Sequence, residues 1–265
     1  MNVSEKIIIV TGGAHGIGKA LCQRFVQEGA KVAIADLDLD AAQLLATELN
    51  TLAVQCDVSN EDDIKNLVTE VEAHYGRVDL FCSNAGIALG EKDLATSASN
   101  QQWQKNWDIH VMAHVYAARA VLPAMIARGE GYFLQTASAA GLLAQIGDAA
   151  YTTTKHAAIG FAESLAITHG DDGIGVSVLC PQYVATQMIG MGDLEDTAEL
   201  APGILTAAEV ADAVINGLAE KQFLILPHQE VERFRQNKAK NIDIWLAKMR
   251  KLRQNIMGTG SNLAI

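Results

Sequence analysis

Eight residues near the N-terminus, Thr11-Gly12-Gly13-Ala14-His15-Gly16-Ile17-Gly18, restrict this chain more than any other segment. They follow the apolar stretch Ile7-Ile8-Ile9-Val10 and precede a periodic segment through Leu21, Phe25 and Val26. Strand, glycine turn and helix in that order let backbone approach a dinucleotide pyrophosphate. The helix start offers it free N–H groups and the positive end of a dipole. A plain surface turn can share this composition; the order of its neighbours is what points to a nucleotide. The spacing also differs from the common G-x-G-x-x-G.

Further along, short apolar runs alternate with longer helical patterns. Strands are expected at 6–10, 31–35, 52–55, 80–83, 131–135, 175–179 and 223–226. Helices are expected near 17–28, 39–50, 60–75, 101–128, 149–169 and 206–221. This alternation implies right-handed crossovers and a parallel sheet covered on both faces. The fold class is therefore α/β: a single doubly wound Rossmann-type domain, its seven-stranded parallel sheet flanked by helices, with a C-terminal amphipathic helix. The 22 glycines are dispersed, the 4 prolines scattered, and no repeat or linker interrupts the 265 residues. Residues 1–227 are read as the domain carrying the site and 228–265 as its helical extension. Such sheets bind ligands beyond the carboxyl ends of their strands. The Gly12–Gly18 loop, Asp36, Asp57, Asn84, Ser138 and Pro181 each fall just after an expected strand.

Tyr151 and Lys155 stand four residues apart, so on a helix they share one face. A lysine ammonium beside the phenol favours the phenolate and lowers a pKa that is ordinarily about 10. Such a tyrosine exchanges a proton with an alcohol or carbonyl oxygen near neutral pH. Ser138, just after the apolar run Tyr132–Leu134, can give a hydrogen bond to the same oxygen. A Tyr-x-x-x-Lys pair alone is usually a solvated helix face.

Together these segments resemble the short-chain dehydrogenase/reductase family. Thr11-Gly12, Gly16 and Gly18 match its T-G-x-x-x-G-x-G loop, and Asn84-Ala85-Gly86 matches its N-A-G segment. Ser138, with Tyr151 thirteen residues on and then Lys155, matches its catalytic Ser, Tyr and Lys. The likeness spans about residues 5 to 226 and implies hydride transfer between NAD(P) and an alcohol or carbonyl. Tyr151 would then be the acid/base, Lys155 would depress its pKa and bind the nicotinamide ribose, and Ser138 would orient the substrate oxygen. Asp57-Val58 resembles the family's adenine-contacting pair, although an acid at a helix start is almost as good a reading of Asp57. Asn84 would tie strands together while Ala85 and Gly86 leave room for the cofactor. Pro181-Gln182-Tyr183-Val184-Ala185-Thr186 resembles P-G-x-V-x-T, in which Val184 and Thr186 would touch the nicotinamide carboxamide. Gln182 there replaces the usual glycine. The likeness also implies a homotetramer or homodimer built on the helices near 101–128 and 149–169.

Asp36 lies 18 positions after Gly18, close to the offset of a ribose-binding acid. Its carboxylate would accept from ribose hydroxyls and repel a 2′-phosphate, which favours NAD over NADP. His15 is a weak counter-signal, because NADP-using relatives often carry a basic residue there. The cofactor-binding set also includes Ile17 of the glycine loop. An alternative reading is an NADPH-dependent 3-oxoacyl-thioester reductase, which Asp36 disfavours; another is a catalytically silent NAD-binding regulatory protein.

One position departs from the family. Seven residues after Trp103, where relatives place an asparagine, the chain has His110. Its imidazole could relay protons as part of the catalytic set, or could be a structural replacement. His110 and His114 share helical i, i+4 spacing, but no H-E-x-x-H signature or further ligand cluster accompanies them, so no metal is expected.

Leu142–Ala149 and the lid-like stretch 187–205 are expected to shape the substrate pocket. Leu142, Leu143, Ile146, Met188, Ile189 and Met191 are its apolar candidates, with Gln145 and Tyr183 polar. An uncharged, largely apolar alcohol or ketone follows, unless these residues are simply core. In the tail, Ile242, Trp245, Leu246, Met249 and Leu252 form an apolar stripe with a basic opposite face. Such a helix can bind a membrane surface; in a chain this acidic, packing against its own or a neighbouring subunit is favoured and no membrane is expected. The net charge of −11 argues against nucleic acid as a partner. Four unpaired-looking cysteines, no apolar run of the ~18 residues a span needs, and an immediate first strand point to a cytoplasmic protein.

Overall fold

The apolar runs become strands shielded on both faces. Ile7–Thr11 is buried along its whole length, as are Leu80–Ser83 and Gly131–Thr136. The computed structural model describes residues 1–90, 94–191 and 200–258. Its first half runs β1 (Ile7–Thr11), α1 (Gly16–Gln27), β2 (Lys31–Asp36), α2 (Leu39–Leu49), β3 (Leu52–Gln55), α3 (Glu61–Tyr75) and β4 (Leu80–Ser83). After it come α4 (Asn100–Trp107), a π turn (Asp108–Met112), α5 (Ala113–Arg128), β5 (Gly131–Thr136), α6 (Ala149–His169) and β6 (Ile174–Leu179). β7 (Tyr183–Val184), β8 (Ile204–Leu205), α7 (Ala207–Ala219), β9 (Leu224–Ile225), α8 (Glu230–Lys240) and α9 (Ile242–Gly258) complete the described chain.

The seven-stranded sheet has the order β3-β2-β1-β4-β5-β6-β9, and every pairing is parallel. Alternate residues of a strand serve opposite faces. Ile8, Val10 and Leu80 face α1, α2 and α7, where Leu21, Phe25, Leu45 and Val214 cover them. Ile9, Phe81 and Phe133 face α3, α5 and α6, packing with Leu67, Ala117, Met125 and Ala162. Sequence order reverses between β1 and β4, so their carboxyl ends open the crevice where ligands of such sheets bind.

Helix starts are set by side chains. Asp38, Asn60, Ser99, Asp148 and Thr206 each accept a first-turn backbone N–H, and Ser99 and Thr206 complete capping boxes with Gln102 and Glu209. Each cap is worth ~1 kcal/mol.

Two expectations need revision. The helix expected over 101–128 is interrupted by the π turn at Asp108–Met112, which turns His110 fully inward. By length and composition the 100–128 segment could also cross a bilayer, yet His114, Ala117, Val121 and Met125 are buried in the protein. The tail is two helices, broken at Asn241, whose backbone is extended and whose side chain accepts the Ile244 N–H. Ile242, Leu246 and Leu252 of the stripe are exposed, so this chain's own body does not cover them.

Candidate active site

The loop after β1 tolerates no side chains at its tight points. Gly12 has φ +61°, and a Cβ there would lie 2.8 Å from the Ala85 Cα. A Cβ on Gly18 would come within 1.9 Å of the Gly12 carbonyl oxygen. The loop therefore lies flat against the N-A-G segment, and α1 begins at Gly16 with no side chain capping its first N–H groups. Asn84 fastens the two segments: Nδ2 donates to the Thr11 and Gly12 carbonyls at 3.2 and 3.3 Å, and Oδ1 accepts from Thr136 at 3.1 Å.

Above this floor is a cleft of about 660 Å³ along the carboxyl ends of the strands. One end holds Gly12, His15, Gly16, Ile17, Asp36, Asp57 and Val58; the other holds Ser138, Tyr151, Lys155, Pro181, Val184 and Thr186; Asn84, Ala85 and Gly86 lie between. Gly18 and His110 are not in its lining. Gly18 supports the loop from behind, and His110 is buried beneath Tyr151, its ring edge-on at 5.3 Å between centroids.

Asp36 Oδ2 accepts the Ala14 N–H at 2.9 Å and Oδ1 the Asp38 N–H at 3.0 Å, which fixes the carboxylate at the cleft edge. His15 Nε2 lies 3.6 Å from Asp38. Asp57 serves both readings: it lines the cleft and also accepts from the Ser59 N–H and hydroxyl, at 2.9 and 2.7 Å. A flat glycine floor, open helix-start N–H groups and a fixed carboxylate at the end of β2 suit a dinucleotide.

At the other end the electrostatics differ from the sequence expectation. Burial pushes the Tyr151 phenol up to about 12, the Asp148 charge adds to this, and the hydrogen bond with Ser138 works against it. Lys155 does not depress it: Nζ is 5.5 Å from the ring centroid and donates to the Thr136 carbonyl at 3.1 Å. Burial lowers the ammonium itself to about 8. Asp148 is a buried acid whose role the spacing did not reveal. It accepts from the N–H of Tyr151 and of Gly90, both at 2.9 Å, holding the start of α6 to the loop after β4.

His110 is fully hydrogen-bonded. Nε2 accepts the Ile87 N–H at 3.0 Å, so the proton sits on Nδ1, 3.0 Å from Thr154 Oγ1. That hydroxyl donates onward to the Ala150 carbonyl at 2.9 Å. Burial, then the Lys155 charge, holds the imidazole well below its ordinary value, and it stays neutral. In this position His110 fastens the loop after β4 to α6.

Of the pocket candidates, Met188 and Ile189 line the cleft; Leu142, Leu143, Ile146, Met191, Gln145 and Tyr183 do not. The stretch 187–205 falls partly outside the described residues. Ile87, Ala88, Leu89 and Ile109 supply the rest of an apolar wall. Their signal was positional, since three of them directly follow Asn84-Ala85-Gly86. Among the described residues no group of three His, Cys, Asp or Glu is placed to hold a metal.

Comparison with known proteins agrees with this architecture. The family model for short chain dehydrogenase matches residues 6–194. A 3beta-hydroxysteroid dehydrogenase 2 from Eggerthella lenta is 34% identical over 190 residues, covering 69% of this chain and 72% of that protein. A mitochondrial borneol dehydrogenase from Lavandula x intermedia is 31% identical over 212 residues, 79% of this chain and 82% of its own. A solved short chain dehydrogenase/reductase from Burkholderia phymatum in complex with NAD superposes with a TM-score of 0.82 at 25% identity, covering 92% of this chain and 96% of that one.

Proposed function

The chain belongs to the short-chain dehydrogenase/reductase family and is an oxidoreductase; from that premise we propose that it moves a hydride between NAD and a largely apolar secondary alcohol or its ketone. The observation that carries this reading is the convergence of Ser138, Tyr151 and Lys155 on the apolar end of a cleft whose far end holds Asp36. The steroid and borneol relatives support the substrate class, since both names denote secondary alcohols on apolar frameworks.

Bound nicotinamide supplies the carbon that gives or takes the hydride. The protein does the rest. The glycine floor and the α1 N–H groups would hold the pyrophosphate. Asp36 would accept from the ribose hydroxyls and repel a 2′-phosphate, and the Asp38 carboxylate, 3.6 Å from His15 Nε2, adds negative charge beside it. Ile87 and Ile109, with the more exposed Leu89, Met188 and Ile189, give the cleft the apolar wall against which the substrate's framework would pack. Ser138 Oγ and Tyr151 Oη converge on the substrate oxygen. With its phenol at about 12, Tyr151 keeps its proton near neutral pH and delivers it from Oη to the alkoxide formed on reduction. Lys155, which lines the same end of the cleft and donates to the Thr136 carbonyl, would give its remaining donors to the nicotinamide ribose.

The same reading takes residues 1–227 as the catalytic unit and 228–265 as its extension. Identical subunits would associate through the groove between α5 and α6, lined by Leu122, Pro123 and Phe161. Four buried free cysteines suit a reducing cytoplasm. The test is to titrate the protein with NAD and NADP, screen secondary alcohols at the reduced-cofactor absorbance band, and repeat with Tyr151→Phe. Loss of hydride transfer with intact NAD binding is expected; a Phe variant that still turns over would refute the assignment.

A further inference from the structure

Two polar anchors join the C-terminal extension to the loops that carry Ser138 and Pro181, and neither touches the reacting atoms. Lys238, on α8, reaches into the loop between Ser138 and Tyr151. Its Nζ donates to the Leu142 and Leu143 carbonyls, both at 2.8 Å, and lies 3.4 Å from His156 Nε2. His156 Nδ1 is 2.8 Å from the Thr152 carbonyl, so its proton lies on that side and Nε2 is free to accept. An ammonium has three protons, and each has an acceptor here. Trp245 of α9 covers the charge, its ring centroid 5.1 Å from Nζ. Leu142 directly follows the short turn Ala139–Gly141 that begins at Ser138, and His156 follows Lys155.

The second anchor is His228, which is buried. Its Nδ1 accepts the Gln182 N–H at 3.1 Å, so Nε2 carries the proton and donates to the Tyr183 carbonyl at 3.0 Å. Gln182 is the residue that departs from the glycine of the family pattern. The two anchored loops also meet each other: the Ala139 N–H donates to the Pro181 carbonyl at 2.8 Å. Val231 is the one buried residue of α8, so little apolar packing fixes that helix otherwise.

We propose that the extension fixes the substrate end of the cleft. Lys238 is the positioning residue for 139–143 and His228 for 181–184, and together they hold Ser138 where a substrate oxygen is received. This rests on Ser138 and Tyr151 being the oxygen-binding pair. A lysine whose three donors are spent on loop carbonyls and one histidine does more than solvate a helix face, because each bond crosses from the extension to a segment bearing a site residue.

The test compares full-length wild type, Lys238→Met and Lys238→Arg. Hydrogen exchange of peptides covering 139–147 should accelerate about tenfold in Lys238→Met, with peptides of β1 and α1 unchanged. KM for bulky secondary alcohols should rise about tenfold while kcat stays within about twofold, NAD affinity holds, and Lys238→Arg recovers most of the loss. Unchanged exchange at 139–147, or acceleration spread evenly over the chain, would overturn the proposal. The exchange result does not depend on turnover. If Tyr151→Phe remained active, the catalytic reading would fall while the brace would still be judged on exchange.

Discussion

Replacing His114 by leucine should make the protein less sensitive to acid. His114 is 2% exposed in α5, and among the described residues neither ring nitrogen has a protein hydrogen-bond partner. Burial, then the Lys155 charge, pushes the imidazole down to about 3 from its ordinary 6.5. Because the folded value is the lower, the unfolded chain binds the extra proton between the two. The stabilising contribution is therefore complete above pH ~6.5 and shrinks as pH falls, by ~1.4 kcal/mol per unit. At pH ~5.5, one unit below the unfolded value, neutral His114 costs the fold ~1.4 kcal/mol relative to pH ~8. That endpoint stays above the sequence pI of about 5.0, where vanishing net charge favours precipitation. The assay is urea unfolding of wild type and His114→Leu at both pH values and one protein concentration. The wild type should lose ~1.4 kcal/mol more than the variant on acidification. His110 titrates in the same direction but is common to both proteins, so the difference isolates His114. Equal losses in the two proteins would mean that His114 is not a buried neutral imidazole, and the reasoning would fail.

His110→Asn should retain or raise turnover, whereas His110→Ala removes the acceptor of the half-buried Ile87 N–H and should cost ~1 kcal/mol in urea unfolding; collapse of kcat in the Asn variant at unchanged stability would instead make the imidazole a proton carrier. Asp36→Asn should lower kcat/KM with NAD about tenfold and bring the NADP value closer to it, measured under the same assay; an unchanged ratio would remove Asp36 from coenzyme choice. Lys155→Met should abolish turnover yet raise stability at neutral pH by ~1–3 kcal/mol, since an ammonium held at about 8 is costly to keep charged in the fold. That gain should shrink as pH rises from about 8 towards 10.5, where the wild-type lysine sheds its proton on folding; a destabilised Met variant at every pH would refute the account.

The sheet was legible because its signal is local. Ile7–Val10, Leu80–Ser83 and Gly131–Gln135 are apolar runs too short for helices, and the intervening segments carry helical periodicity. The glycine loop was legible because Gly12 and Gly18 meet a steric demand that no other residue satisfies. Less visible was the wall formed by Ile87, Leu89 and Ile109: apolar residues have the same identity whether they face core or cleft. The π turn was hidden too, since one extra residue in a helical turn leaves the 3.6-residue pattern of 101–128 almost intact.

The amino-acid order by itself determined the doubly wound sheet, the glycine floor, the carboxylate at the end of β2 and the shared helix face of Tyr151 and Lys155. All of these follow from spacing within a segment or from the fixed place of strand ends. Tertiary structure alone decided the electrostatics and the long-range anchors. Spacing put Lys155 beside Tyr151, but burial set the phenol at about 12 and the ammonium at about 8. Lys238 and His228 reach loops 95 and 45 residues away in sequence, measured to Leu143 and Tyr183. Desolvation and contacts between distant segments depend on what the whole chain packs around a group, and no window of sequence contains that information.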